Sequence, residues 1–323
     1  MNYIANLLKK FSSLLSFIVI LSIFLSACDY EEMKSKATTG ELKIEVDETF
    51  KPVMDELKKE FERLNPEAKL SISYVPTNNL VVDLLNRDVN TIVMAGDFDD
   101  TTKKWINKYK IEVQKYEVCF DGVAFIVNPE NPTTRLTKEE LKNIFNGTYS
   151  KWTDIKSQDE IQNKEVQQKM KGSDDNIKIF IPRPNSSLNG FVKDSVLLGS
   201  EFSRAAVMCT TSVQMLEEIR KYRNAIGVSN MAFLSRGGME NLDSTVKPIK
   251  VANFFKFVDF HIGTIANQSY PYFRRIYVFT TEAGISLTTG FVSFMRGRDG
   301  QKVMIDYGLV PGKNTGIRIQ LED

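Results

Sequence analysis

Glu41-Leu42-Lys43-Ile44-Glu45-Val46, running into Asp47-Glu48-Thr49-Phe50-Lys51-Pro52, decides the fold. The first six residues alternate polar and apolar, the period of a half-buried strand. A turn over Asp47-Glu48-Thr49 follows. Pro52 then opens a helix, whose first turn tolerates its missing N–H. That helix carries Val53, Met54, Leu57, Phe61 and Leu64 on one face. Asn65-Pro66 stops it, because the residue before a proline is held out of the helical region. Leu70–Val75 reads as the next strand, Leu80–Leu85 as a helix and Thr91–Met94 as a short buried strand. Alternating strands and helices predict a parallel sheet covered by helices.

A second unit begins near Cys119, with Val123–Val127 as a continuous apolar strand. Leu136–Gly147 is an amphipathic helix with Thr137 at its N-cap, Glu140 three residues on and Gly147 at its end. Residues 156–176 are polar and read as a surface excursion. Ile177–Ile181 is a strand, a helix starts near Ser187 or Asn189, and Ala225–Val228 is another strand. Arg275–Thr280 is a strand, Ser286–Met295 a helix, and Gly308-Leu309-Val310-Pro311 closes the chain's ordered pattern.

Composition narrows the function. The 323 residues are 42% hydrophobic and 26% charged, ordinary for a globular chain. Lys and Arg number 42 against 41 Asp and Glu, so there is no basic field to hold nucleic acid. His261 is the one histidine and there is no C-x-x-C pair, which argues against a metal site. No cofactor is expected. Cys119 and Cys209 sit in apolar surroundings and are expected to be buried free thiols. His261 lacks a Gly-x-Ser-x-Gly partner, so a hydrolase reading has no nucleophile and the protein is expected not to be an enzyme. Asp97-Phe98-Asp99-Asp100 lacks the spacing of a calcium loop and reads as a solvated turn. Trp105 and Trp152 are expected to be packing residues.

Two segments share a geometry suited to an anion. Glu48-Thr49-Phe50 precedes the Pro52 helix, and Arg183-Pro184-Asn185-Ser186-Ser187-Leu188-Asn189-Gly190 precedes the Phe191 helix. A helix start offers unpaired N–H groups and partial positive charge. Ser and Thr hydroxyls add donors, and Arg183 adds a planar fork matched to oxyanions. Taken singly, each segment is also an ordinary N-cap. Two such starts facing one cleft would grip a small oxyanion from opposite sides.

The N-terminus adds a location. Lys9 and Lys10 precede an apolar run from Phe11 to Phe24, then Leu25-Ser26-Ala27-Cys28. Charge, apolar run and small residues in that order are an export signal over 1–27. The run is short against the ~20 residues of a spanning helix. Its end resembles a bacterial lipobox, which implies lipidation of Cys28 and an extracytoplasmic, membrane-anchored chain. Residues 28–40 read as a polar tether.

Asp121-Gly122-Val123-Ala124-Phe125-Ile126-Val127-Asn128-Pro129-Glu130-Asn131-Pro132, then Leu136-Thr137, Leu141–Gly147 and Trp152-Thr153-Asp154-Ile155, resembles the phosphate-binding PstS-like family of ABC-transporter solute-binding proteins. Ala225-Ile226-Gly227, Tyr270-Pro271 with Arg275 and Tyr277, and Gly300-Gln301 leading to Tyr307–Pro311 continue the resemblance. It implies an α/β, two-lobed clamshell of the type II periplasmic-binding-protein kind, with two crossover strands and ligand in the hinge cleft. The first lobe would comprise 41–118, the second 119–255, and 256–323 would return to the first. By the same resemblance the ligand is inorganic phosphate or a related oxyanion, passed by a monomer to an ABC importer permease. Thr49 and Phe50, then Arg183 and Ser187, match the family's binding positions, with Asn189, Thr77 and Asn78 as further donors. Three departures stand out: Leu188-Asn189 replaces Gly-Thr, Pro76-Thr77-Asn78-Asn79 replaces a Gly-Ser-Gly-type loop, and the third-strand position of an acidic residue is apolar around Ile92. They leave as the alternative a scaffold of this family that binds another small ligand or a signalling partner.

Overall fold

The structure is a computed structural model that describes residues 36–156, 160–238, 241–254 and 256–312. The export signal, Cys28 and most of the tether lie outside the described residues. Among the described residues, no helix is long and apolar enough to cross a membrane.

Strand β1 (Gly40–Asp47) leads through a 3-10 turn (Glu48–Phe50) into helix α1 (Lys51–Leu64), followed by β2 (Ala68–Val75), α2 (Thr77–Asn86) and β3 (Thr91–Ala95). β1 pairs in parallel with both β2 and β3, as the alternation requires. Leu42, Ile44 and Val46 are buried, and Val53, Met54, Leu57 and Phe61 of α1 are buried too. Leu64 departs from the expected stripe and is 42% exposed, because it stands in the last turn, where the chain already bends into Asn65.

Helix α3 (Asp100–Lys108) follows, started by Asp99, whose carboxylate accepts the Thr102 N–H at 2.6 Å. Residues 97–99 form the turn with exposed carboxylates that the sequence suggests, and α3, which begins after it, corrects only the packing reading of Trp105. The helix buries none of its residues, and Trp105 lies 52% exposed against Tyr109 at 4.6 Å between ring centroids. Exposed Lys and Thr positions dominate this helix, so its tryptophan has no core to enter. Trp152, by contrast, is fully buried and donates its indole N–H to Asn224 O at 3.1 Å.

β4 (Gln114–Val127) organises the rest. Its first half pairs antiparallel with a late strand, its second half with a mid-chain one. Between them come β5 (Arg135–Leu136), α4 (Lys138–Phe145), α5 (Glu160–Lys169), β6 (Lys178–Pro182), α6 (Ser187–Val192), β7 (Val207–Cys209), α7 (Ser212–Lys221) and β8 (Ala225–Asn230). α4 has the expected capping box of Thr137 and Glu140. α5 lies inside the stretch read as a surface excursion. It is held because buried Gln162 accepts the Thr134 and Arg135 N–H groups at 2.9 and 3.0 Å.

α8 (Met231–Leu234), β9 (Lys247–Pro248), β10 (Lys250–Asn253), β11 (Lys256–Val258) and α9 (Ile262–Ala266) precede β12 (Phe273–Thr280), and α10 (Leu287–Arg296), α11 (Arg298–Asp306) and β13 (Val310–Pro311) complete the chain. The main sheet runs β2-β1-β3-β12-β4-β8-β6-β7, and β5, β10 and β11 form a small second sheet. β12 therefore lies antiparallel between β3 and β4, and β4 carries the sheet from one end to the other. His261 is structural: its Nδ1 accepts the Gly263 N–H at 3.0 Å and caps α9. Cys119 and Cys209 are buried and free, and burial pushes the Cys209 thiol up to about 11.

Candidate functional site: a cleft floored by Arg274

Both predicted helix starts converge. Thr49 follows the end of β1, Ser187 follows the end of β6, and their hydroxyl oxygens lie 3.4 Å apart. What joins them is Arg274 on β12. Its Nη1 donates to Ser187 Oγ at 2.6 Å and its Nη2 to Thr49 Oγ1 at 2.7 Å. Nε and Nη2 donate to Asp121 Oδ2 at 3.1 and 2.9 Å. Four of the guanidinium's five N–H donors are thereby used, and one on Nη1 remains for the cleft. The Arg274 side chain is 4% exposed and that of Asp121 is fully buried. Asn230 holds Asp121 Oδ2 at 2.8 Å and Thr49 O at 2.9 Å, which ties the far end of β8 to the same point. Burial pushes the Asp121 carboxyl up, against the pull of Arg274, Asn230 and the Ala232 N–H.

The Thr49 N–H and hydroxyl both turn to Asp47 Oδ1, at 2.9 and 2.7 Å, and Thr77 donates its hydroxyl to Asp47 Oδ2 at 2.9 Å. Asp47 thus collects donors from β1's end and from the start of α2. The Phe50 ring is in the core, and so is Leu188, which stands clear of the cleft although it replaces a glycine of the family pattern. Buried Asn189 donates its amide to Pro182 O at 2.6 Å, fastening α6 to β6. Arg183 Nη2 meets Glu48 Oε2 at 2.5 Å, joining the turn after β1 to the turn after β6 beside the Thr49–Ser187 contact. Burial raises the Glu48 carboxyl, with Arg183 opposing and Asp47 adding to the rise.

Above Arg274 opens a cleft of about 770 Å³. Thr77 and Asn78 at the start of α2 border it on one side, and Ser186 and Ser187 on the other. Val81, Val82, Met94, Phe98 and Phe191 form apolar walls. Ile92 is buried in a small core beneath, so the end of β3 presents no carboxylate there. Asp97 does line the cleft, but Lys115 and Lys103 pair with it at 2.8 and 3.2 Å. Burial works to raise its carboxyl, and those lysines with the Phe98 N–H hold it below the usual range. Among the described residues no group of three or more His, Cys, Asp or Glu could hold a metal ion.

Of the residues singled out from sequence, the structure brings Thr49, Thr77, Asn78, Arg183 and Ser187 to or beside one cleft, with Phe50 and Asn189 packed behind them. Sequence reasoning missed Arg274 and Asp121 as site residues. A signal existed: Arg274 has the strand parity of Ile276 and Val278, so it falls on the buried face of β12. A buried arginine requires a partner.

A family model described as the PBP superfamily domain matches residues 33–298. The chain belongs to the PBP superfamily. A phosphate-binding protein PstS from Staphylococcus saprophyticus is 24% identical over 259 residues, covering 80% of this chain and 75% of that one. Another from Staphylococcus epidermidis is 21% identical and covers 98% of this chain and 93% of its own length. A solved candidate phosphate ABC transporter substrate-binding protein from Clostridium perfringens, with bound phosphate, superposes with a TM-score of 0.70 at 19% identity, over 85% of this chain and all of that one. The architecture of this PBP-superfamily chain is accordingly the two-lobed type II clamshell.

Proposed function

We propose that this protein is an extracytoplasmic solute-binding protein that captures inorganic phosphate in its interlobe cleft and delivers it to an ABC importer permease. No bond is made or broken. The observation that carries the reading is the Arg274 guanidinium, desolvated at the floor of the cleft and joined to a hydroxyl from each lobe. A fixed cation at low dielectric attracts an oxyanion more strongly than one in water. Arg274 Nη1, the Ser187 hydroxyl and the Asn78 amide supply donors, and Thr49, Asp47 and Asp121 hold them in place. Arg183 supplies a second cation when the anion displaces Glu48. The phosphate-binding relatives support phosphate as the ligand and do not favour the alternative of a repurposed scaffold.

In this reading 41–118 and 256–323 form one lobe with the return crossover, and 119–255 the other. The protein works as a monomer, held at the membrane by lipid on Cys28. The test is a thermal-shift titration with phosphate, then sulfate, arsenate and molybdate. A ligand at a hundred times its Kd stabilises by about 2.7 kcal/mol, a readily visible shift. A phosphate-selective rise is expected, and a flat response to phosphate overturns the reading.

A further inference from the structure

Helix α3 leaves an aromatic pair uncovered. Trp105 and Tyr109 are 52% and 51% exposed, and Lys108 Nζ lies 5.1 Å from the centre of the Tyr109 ring. Only Ile106 packs the helix onto the small core of Phe98 and Phe279. Charge is sorted along the same segment. Asp97, Asp99 and Asp100 stand at the cleft end, where Asp97 pairs with Lys103 and Lys115 and Asp99 caps the helix. Lys104, Lys108 and Lys110 follow, all exposed, and among the described residues none of them is in an ion pair. Glu112 is the single carboxylate from Lys104 to Gln114. Across a surface hollow from Lys110 and Glu112 stands exposed Arg87, offset by exposed Asp88 beside it in sequence. Glu282, in the loop after β12, accepts the Ser286 hydroxyl at 2.9 Å. The far end of α3 is therefore cationic as well as aromatic.

The place where the chain enters the fold says what lies against this end. β1 and β3 are parallel, with Asp47 and Ala95 towards the cleft, so Gly40 lies at the opposite end of the sheet. α3 runs back to that end: Lys110 borders the hollow with Thr281, whose N–H donates to Asn90 O at 3.0 Å just before β3. The loop from Thr281 leads into α10, where Ala37 lies so close to Gly290 that a Cβ there would stand 1.8 Å from Ala37 O. Lys36 is eight residues on from Cys28, and that stretch spans at most about 29 Å. Lipid on Cys28 would thus keep a bilayer near the uncovered end of α3. Trp and Tyr favour the membrane–water interface, and basic side chains are drawn to anionic headgroups. We infer that segment 105–110 rests on an anionic membrane surface, its aromatics at headgroup level and Lys104, Lys108 and Lys110 on lipid phosphates. This rests on the reading that lipid on Cys28 holds the chain at a membrane.

The test uses the lipidated chain purified from membranes, its Cys28 lipid read by mass spectrometry, on vesicles of phosphatidylglycerol or of phosphatidylcholine. Of the two tryptophans, Trp152 is fully buried, so acrylamide quenching of the emission reports Trp105. Quenching is expected to be roughly threefold weaker on phosphatidylglycerol than on phosphatidylcholine, and high salt should remove the difference. The triple variant Lys104→Glu, Lys108→Glu, Lys110→Glu is expected to abolish it while unfolding as cooperatively as the parent. If that variant does not fold, Gln at the same three positions removes the charge alone. Equal quenching on the two vesicles, the result if a protein covers this face, overturns the inference and leaves the lipid reading standing. A difference that survives in the triple variant overturns it as well. Absence of lipid on Cys28 overturns both.

Discussion

Arg274 Nη1 donates to Ser187 Oγ at 2.6 Å, so a strand from one end of the chain fixes the start of a helix 87 residues earlier. The same guanidinium reaches Thr49 at 2.7 Å and Asp121 at 2.9 Å. One buried cation therefore joins the turn after β1, the start of α6 and the middle of β4, and it does so at the floor of the cleft.

Arg274→Ala removes the counter-charge of fully buried Asp121 and is expected to cost about 3–5 kcal/mol in urea denaturation. Arg274→Lys keeps the charge but offers a point donor where a fork is required. It is expected to fold with reduced stability and to lose at least tenfold in phosphate affinity. Unchanged affinity in this variant would remove Arg274 from the binding site.

Arg183, just after β6, and Glu48, just after β1, form an ion pair with side chains 25% and 20% exposed. Arg183→Ala is expected to lower phosphate affinity at least tenfold while moving stability by about 1 kcal/mol or less. Glu48→Gln should act in the opposite direction on binding, because it frees Arg183 for the anion. Equal phosphate affinities for Glu48→Gln and the wild type would show that no such competition exists.

Glu45 on β1 gives a pH dependence. Burial first, then the charge and hydrogen bond of Asp83 and the charge of Asp88, push its carboxyl from 4.5 up to about 7. Between these values the folded chain keeps a proton that the unfolded chain has released. Glu45 therefore favours the folded chain most below about 4.5, and its contribution is lost as pH rises through about 7. Because the group is largely solvent-screened, the loss is about 1 kcal/mol. Glu45→Gln should raise Tm at pH 8 and have little effect at pH 4; a Tm difference that is the same at both would contradict the assignment.

Thr137 caps α4 by accepting the Glu140 N–H at 3.1 Å, while Glu140 accepts the Thr137 N–H at 2.7 Å. Thr137→Ala should cost about 1 kcal/mol of stability and Thr137→Ser almost nothing. Chemical denaturation of the two variants separates a cap from mere packing.

Local pattern carried most of the fold. The alternation in Glu41–Val46, proline at the start of α1 and the Thr137–Glu140 box each depend on neighbours in sequence, and each is formed as read. Trp105 and Leu64 went astray because exposure depends on what other elements cover, and nothing within α1 or α3 encodes that cover.

For the site, sequence alone determined that two strand ends lead through turns carrying Thr49 and Arg183 into helices, with Ser187 opening the second, since turn chemistry and capping act over a few residues. Only the tertiary structure decided what stands between them. Arg274, Asp121 and Asn230 meet there because β12, β4 and β8 are adjacent strands in the sheet. A buried charge finds its partner through that long-range pairing, at separations such as the 153 residues between Asp121 and Arg274, which no local spacing records.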